Sequence, residues 1–162
     1  MKALIVYDSV YGHTEKIAQA IGKGLASKYE YSIVKGNNVG KNQLEELNLL
    51  IIGTPTHGGR WTEVIRDFLE EISGMKLEGV KVAVFDTRTV STGIVGGIER
   101  IFGRAAPRLA EEMKKHERNV IIEPEGFVVQ GRKGPLKEGE LKRAENWGNQ
   151  IAEILKNRRN VS

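Results

Sequence analysis

The sequence predicts an α/β fold, a doubly wound parallel sheet with helices on both faces. Three observations lead there. Strand and helix signals alternate along the chain in the order βαβ(α)βαβαβα. The strong strand signals are continuous apolar runs, as strands buried on both faces require. The segments between them carry apolar stripes at helical spacing. The 162 residues suit one domain, read as residues 1–159 with a frayed tail at 160–162.

Each element has its own signal. Ala3-Leu4-Ile5-Val6-Tyr7 reads as a buried strand, and residues 14–28 as a helix with Ile17, Ala18, Ile21 and Leu25 on one face. Tyr31-Ser32-Ile33-Val34 is a weaker strand, and Leu49-Leu50-Ile51-Ile52 a second strong one. Residues 61–73 read as a helix, with Val64, Ile65, Phe68, Leu69 and Ile72 as its stripe. Val80 to Phe85 is the third strong strand. A long helical stretch is expected from about Val95, with Ile98, Ile101, Phe102, Ala105, Leu109 and Met113 in phase. Pro107 lies within it and predicts a kink or break. Val120-Ile121-Ile122 and Phe127-Val128-Val129 predict one last strand, interrupted around Pro124-Glu125-Gly126. Residues 139–157 predict the final helix, with Leu141, Ala144, Ile151, Ile154 and Leu155 inward.

Composition narrows the chemistry. There is no cysteine, which excludes disulfides, thiolate metal sites, iron–sulfur clusters and cysteine nucleophiles. Any redox chemistry must therefore come from a bound cofactor. No apolar run approaches the ~18 residues of a membrane span, and the N-terminal apolar run meets Asp8 too soon for a signal peptide. The expected location is cytoplasmic. The formal charge is +4 and unevenly spread. Residues 1–80 carry 9 basic and 10 acidic groups, and residues 81–162 carry 16 and 11. A basic half can mark contact with nucleic acid or an anionic membrane. It also fits a solvated mixed surface. The only dense basic run is Lys156-Asn157-Arg158-Arg159, so nucleic acid is not expected as a partner.

Ligands of such sheets bind beyond the carboxyl ends of the strands. Three segments there stand out. Asp8-Ser9-Val10-Tyr11-Gly12-His13-Thr14 joins a buried strand to a helix start. Unpaired amides and the helix dipole make that an anion site. Ser9 and Thr14 can donate to a phosphate, and Gly12 permits close backbone approach. The same residues also suit an ordinary cap, with Thr14 as N-cap and Ser9 in the turn. Neither GxGxxG nor GxxxxGK[ST] is present. The second segment is Gly53-Thr54-Pro55-Thr56-His57-Gly58-Gly59-Arg60-Trp61-Thr62, whose paired glycines expose backbone to a flat ligand. The third is Asp86-Thr87-Arg88-Thr89-Val90-Ser91-Thr92-Gly93, rich in hydroxyls and free amides.

The run from Ile5 to Ile21 resembles the flavodoxin signature: two apolar residues, an aromatic, a hydroxyl residue, a small residue, Thr, then Ala and an aliphatic on the helix. The resemblance implies the sheet order 2-1-3-4-5 and FMN as cofactor. It implies that Ser9, Val10, Tyr11, Gly12, His13 and Thr14 surround the phosphate. His13 is a departure, since flavodoxins often have Asn there. Gly-Thr-Pro-Thr-x-Gly resembles the second flavin loop, which implies contacts from Pro55, Thr56, His57, Gly58 and Gly59. An aromatic stacks on the ring there in the family. His57 and Trp61 are the candidates, and at least one is expected to touch the flavin; as plain structure, Trp61 packs at a helix start and His57 is a turn residue. The third segment implies Thr87, Arg88, Thr89 and Gly93 at the polar edge of the ring. It lacks the second aromatic of many flavodoxins. Arg88 is either a solvent-exposed charge or a cation that favours the anionic reduced flavin and raises the potential of the second electron. The segment from Glu125 to Leu136, followed by a Glu-rich helix, resembles the family's interrupted final strand and last helix.

Three functions follow as expectations. The first is an electron carrier holding one or two electrons on FMN. The second is an FMN-dependent quinone reductase or protoporphyrinogen-oxidase-like enzyme. The third is a flavin-binding regulatory or storage protein. The partner is then a redox protein or a small acceptor such as a quinone. No catalytic acid–base set is assigned, and His13, His57 and His116 lack metal-ligand spacing. A phospho-acceptor domain of this fold needs an Asp ending the central strand, where this chain has Gly53-Thr54. The oligomeric state is left open.

Overall fold

A computed structural model describes residues 1–89 and 104–159. The chain alternates strictly at first: β1 (Lys2–Tyr7), α1 (His13–Leu25), β2 (Glu30–Lys35). A 3-10 turn (Gly36–Asn38) and the short α2 (Lys41–Leu44) lead to β3 (Leu49–Pro55) and α3 (Glu63–Ser73). Then come β4 (Lys81–Thr89), α4 (Ala105–Lys115), β5 (Asn119–Val120), β6 (Glu125–Val129) and α5 (Glu140–Arg159).

The strands pair in parallel in the order β2-β1-β3-β4-β5. The fifth position is shared. β5 pairs with Lys81–Val82 of β4, and β6 pairs further along, against Phe85–Thr89. The interruption therefore falls at residues 121–124, and Glu125 and Gly126 belong to the strand rather than to the break. β2 is an edge strand, which explains its weaker signal: none of its residues is fully buried. In β1 and β3 every residue from Ala3 to Val6 and from Leu49 to Thr54 is buried.

Alternate strand residues feed two cores. On one face Ile5, Ile51, Ala83, Phe85 and Phe127 pack against Ile17, Ile21 and Leu25 of α1 and Ala144, Trp147 and Ile151 of α5. On the other face Val6, Leu50, Ile52, Val82 and Val84 meet Ile65, Phe68 and Ile72 of α3 and Leu109 and Met113 of α4. Phe85, Phe127 and Trp147 meet edge to face at centroid distances of 6.0–6.4 Å. Each such pair contributes about 0.5–1.5 kcal/mol beyond area burial. α1 and α5 cross closely because Gly24 and Gly148 lack side chains. A Cβ on Gly148 would overlap the Ile21 carbonyl, and one on Gly24 the Glu145 carbonyl.

Several expectations shift. β3 and β4 run on through Gly53-Thr54-Pro55 and Asp86-Thr87-Arg88-Thr89, residues expected in loops. The register holds, with Thr54 opposite Asp86 and Pro55 opposite Thr87. Gly53 is compatible with this strand because the Phe85 ring occupies the space its Cβ would need. Pro107 produces no kink. It is the third residue of α4, in the first turn, where no intrahelical N–H bond is lost. Ile98, Ile101 and Phe102 lie outside the described residues. Leu141 is exposed rather than inward. The buried position of that first turn belongs to Glu140, whose Oε2 accepts from the Val128 amide (2.6 Å) and from Arg143 (2.8 Å).

Candidate cofactor site

The carboxyl ends of β1, β3, β4 and β6 open onto one cavity of about 640 Å³, within the ~300–1,000 Å³ range of small-molecule sites. It is lined from four segments: Ser9, Val10, Tyr11, His13 and Thr14; Pro55, Thr56, His57 and Gly58; Thr87, Arg88 and Thr89; and Val129, Gly131 and Arg132.

The first segment turns sharply. Gly12 is the N-cap of α1 with φ +87°, a left-handed conformation that glycine adopts without Cβ strain. The Ser9 hydroxyl accepts from the Gly12 amide (2.9 Å), and Asp8 Oδ1 accepts from the Ser9 amide (2.9 Å). Thr14 is not the cap. It is the second helical residue, and its hydroxyl shares a buried hydrogen bond with the Thr87 hydroxyl (2.8 Å). That bond ties α1 to β4. Among the described residues no side chain caps α1. Its first amides face the cavity end with the positive half of the helix dipole, so they can receive an anion.

His13 opens α1. Its Nε2 donates to the Lys133 carbonyl (2.9 Å), which leaves Nδ1 of a neutral ring as an acceptor. That Nδ1 is buried and has no partner among the described residues. It suits a hydroxyl-bearing ligand. An uncapped helix start for a phosphate and a buried open acceptor for a hydroxyl chain together fit FMN.

The second segment makes a tight reversal. His57 and Arg60 exchange backbone hydrogen bonds, both at 3.0 Å, across Gly58 and Gly59. Both glycines have positive φ, +56° and +74°, as the two-residue type I′ turn requires. The pair serves the turn first. Gly58 lines the cavity, while Gly59 is buried away from it. His57 is exposed at the cavity wall. Trp61 packs against the α3–α4 core and is not among the lining residues.

At the third segment the structure overturns the exposed reading of Arg88. Its side chain is 13% exposed, and Nε donates to Asp86 Oδ1 at 2.6 Å. Asp86 is fully buried and also accepts from the Ala106 amide (2.7 Å) in the first turn of α4. Thr56 donates to it as well. Burial pushes the Asp86 carboxyl up, and the Arg88 guanidinium offsets part of that rise. The guanidinium fills the space over Gly126, where a Cβ would overlap it. Arg88 thus reaches the cavity as half of an ion pair, so its field there is far weaker than that of a free cation. Gly93 lies outside the described residues.

The fourth segment was missed in the sequence. Val129 ends the last strand and Gly131 and Arg132 follow it, and together they complete the cavity wall. Their signal is Gly131-Arg132-Lys133-Gly134, two cations between glycines.

A family model described as Flavodoxin matches residues 5–147. The chain belongs to the flavodoxin family. Members of this family bind FMN and transfer electrons, and FMN is the cofactor that membership gives this chain. Solved structures agree on the fold. A flavodoxin from the domain Archaea is 24% identical, with 96% of this chain and 99% of that chain covered and a TM-score of 0.78. Oxidised flavodoxin 1 from Bacillus cereus is 20% identical over 96% of this chain and 98% of that one, TM-score 0.73. Rubredoxin oxygen:oxidoreductase from Desulfovibrio gigas is 19% identical over 96% of this chain but only 36% of its own, TM-score 0.75. Among the described residues of this flavodoxin-family chain, no helix is long and apolar enough to cross a membrane. No cluster of three metal-ligand side chains occurs among them either.

Proposed function

We propose that the chain is an electron carrier that holds FMN in the cavity at the carboxyl edge of the sheet and passes one or two electrons to a redox partner. The observation that carries this reading is the convergence of all three flavin segments on one cavity beside an uncapped helix start. FMN, when bound, supplies the electron storage. The chain's residues supply position and field. The α1 amides, Ser9 and Gly12 hold the phosphate. His13 Nδ1 accepts from the hydroxyl chain. His57 lies along the ring, and Thr87, Arg88 and Thr89 border its polar edge. Two exposed apolar side chains, Val10 and Tyr11, stand at the cavity. They give a partner an apolar contact close to the flavin.

Among the described residues the cavity has no Asp or Glu in its lining, and His13 and His57 are its imidazoles. The enzyme reading, an FMN-dependent quinone reductase, is separated by anaerobic redox titration combined with an NAD(P)H–quinone turnover assay. The carrier shows two resolved one-electron couples and negligible turnover. A single two-electron couple with fast quinone reduction would replace it by the enzyme.

A further inference from the structure

Resting on the FMN reading, we propose that Arg132 is a specificity-determining residue that binds the phosphate monoester of the cofactor and selects FMN over riboflavin. Three observations single it out. Arg88 and Arg132 are the only Lys or Arg side chains in the lining among the described residues, and Arg88 is already paired with Asp86. Arg132 has no ion pair or hydrogen bond among the described residues, so its guanidinium is available.

The turn that carries Arg132 is fixed. The Gly134 amide donates to the Gly131 carbonyl (3.0 Å), which puts Arg132 and Lys133 at the two central positions. Its stem is pinned by Gln130 N to Pro135 O (2.8 Å) and Lys137 N to Val128 O (2.9 Å). Its tip is pinned to α1, because His13 Nε2 donates to the Lys133 carbonyl at 2.9 Å. The turn also sits hard against that ring. Gly134 has φ +100°, and a Cβ there would overlap His13. Arg132 is therefore the immediate neighbour of a residue bonded to the first residue of α1.

The chemistry asks for such a group. A phosphate monoester carries about −1.5 to −2 charge at neutral pH. A helix start offers only about +0.5, and the Ser and Thr hydroxyls add no formal charge. A guanidinium supplies a full charge and paired donors suited to phosphate oxygens. Riboflavin has no phosphate, so Arg132 gives it nothing. Because Arg132 is exposed, its attraction is screened by salt.

The test measures dissociation constants of the full-length apo-protein for FMN and for riboflavin, by flavin fluorescence, at low and high salt. Arg132→Gln is expected to weaken FMN about tenfold, leave riboflavin unchanged and flatten the salt dependence of FMN binding. Arg132→Lys keeps the charge and is expected to restore most of the FMN preference. Lys156→Gln, on the far end of α5, removes the same charge and is expected to change neither. An Arg132→Gln variant that binds FMN normally, or that loses FMN and riboflavin equally, overturns the proposal while the FMN reading stands on the wild-type affinity. A wild-type protein that takes up neither flavin overturns the FMN reading and this proposal with it.

Discussion

At residue scale the Asp86–Arg88 pair governs how β4 meets the cavity. A fully buried carboxylate would be costly alone, and here it holds three elements together: Arg88 on its own strand, Thr56 at the end of β3 and the Ala106 amide opening α4. Removing one partner of a buried pair costs about 3–5 kcal/mol, because the other charge is left uncompensated. Arg88→Ala is expected to lose stability on that scale near neutral pH. The pH dependence has a definite sign. Asp86 is raised in the folded state, so the stability linked to it is fully present below the ordinary Asp range and lost as pH rises through its folded value. Without Arg88 that rise is larger. The gap between variant and wild type in urea midpoint should therefore shrink on acidification, and Asp86→Asn should rescue part of the Arg88→Ala loss. A gap that widens towards acid would mean the pair is not what holds Arg88. Asp86 and Arg88 are two apart, hence on one face of a strand. The pairing was legible once residues 86–89 are read as strand, and it is hidden while they are read as loop.

At the scale of elements, the strands were readable because burial on both faces leaves an unbroken apolar run. The edge strand β2 and the split β5–β6 gave weaker signals, since each is covered less completely. The expected break near Pro107 falls at Arg104, which is extended, and the start of α4 is fixed by Asp86, 20 residues earlier, with Pro107 in the first turn that follows. The first flavin segment was legible because its chemistry is local: a hydroxyl, a glycine and a helix start lie within six residues. The Gly131–Gly134 turn was not, because its place depends on a bond spanning 120 residues, between His13 and Lys133. Trp61 was drawn towards the cavity by its position four residues after His57, but the I′ turn at Gly58-Gly59 reverses the chain between them. The α1–α5 crossing gives a further test at this scale. Gly148→Ala places a methyl against the Ile21 carbonyl, backbone that cannot move aside alone. Overpacking of this kind costs about 1–3 kcal/mol, so a lowered melting temperature is expected with FMN selectivity kept. A variant as stable as wild type would contradict the close crossing.

At the scale of the molecule, the sheet brings the carboxyl ends of four strands to one edge, around the cavity. The excess of basic groups lies in residues 81–162. Part of it is neutralised locally: Arg143 bonds Glu140 and Glu125 and lies over the Phe127 ring at 4.4 Å, and Arg88 bonds Asp86. Glu140 is pushed up by burial, but the bonds from Arg143 and the Val128 amide outweigh this and hold it below its ordinary value. Arg60, Arg132 and Lys133 remain exposed. Of these only Arg132 lines the cavity, together with the exposed Val10 and Tyr11. The absence of cysteine leaves FMN as the redox centre that family membership supplies.

The most direct test is to titrate apo-protein with FMN and with riboflavin, in wild type and in Ser9→Ala. Wild type should bind one FMN per chain and prefer it strongly to riboflavin. Ser9→Ala removes the hydroxyl that holds the Gly12 turn, so it should weaken FMN about tenfold and riboflavin little. Equal affinity of wild type for the two flavins, or no uptake of either, would contradict a phosphate held at the start of α1.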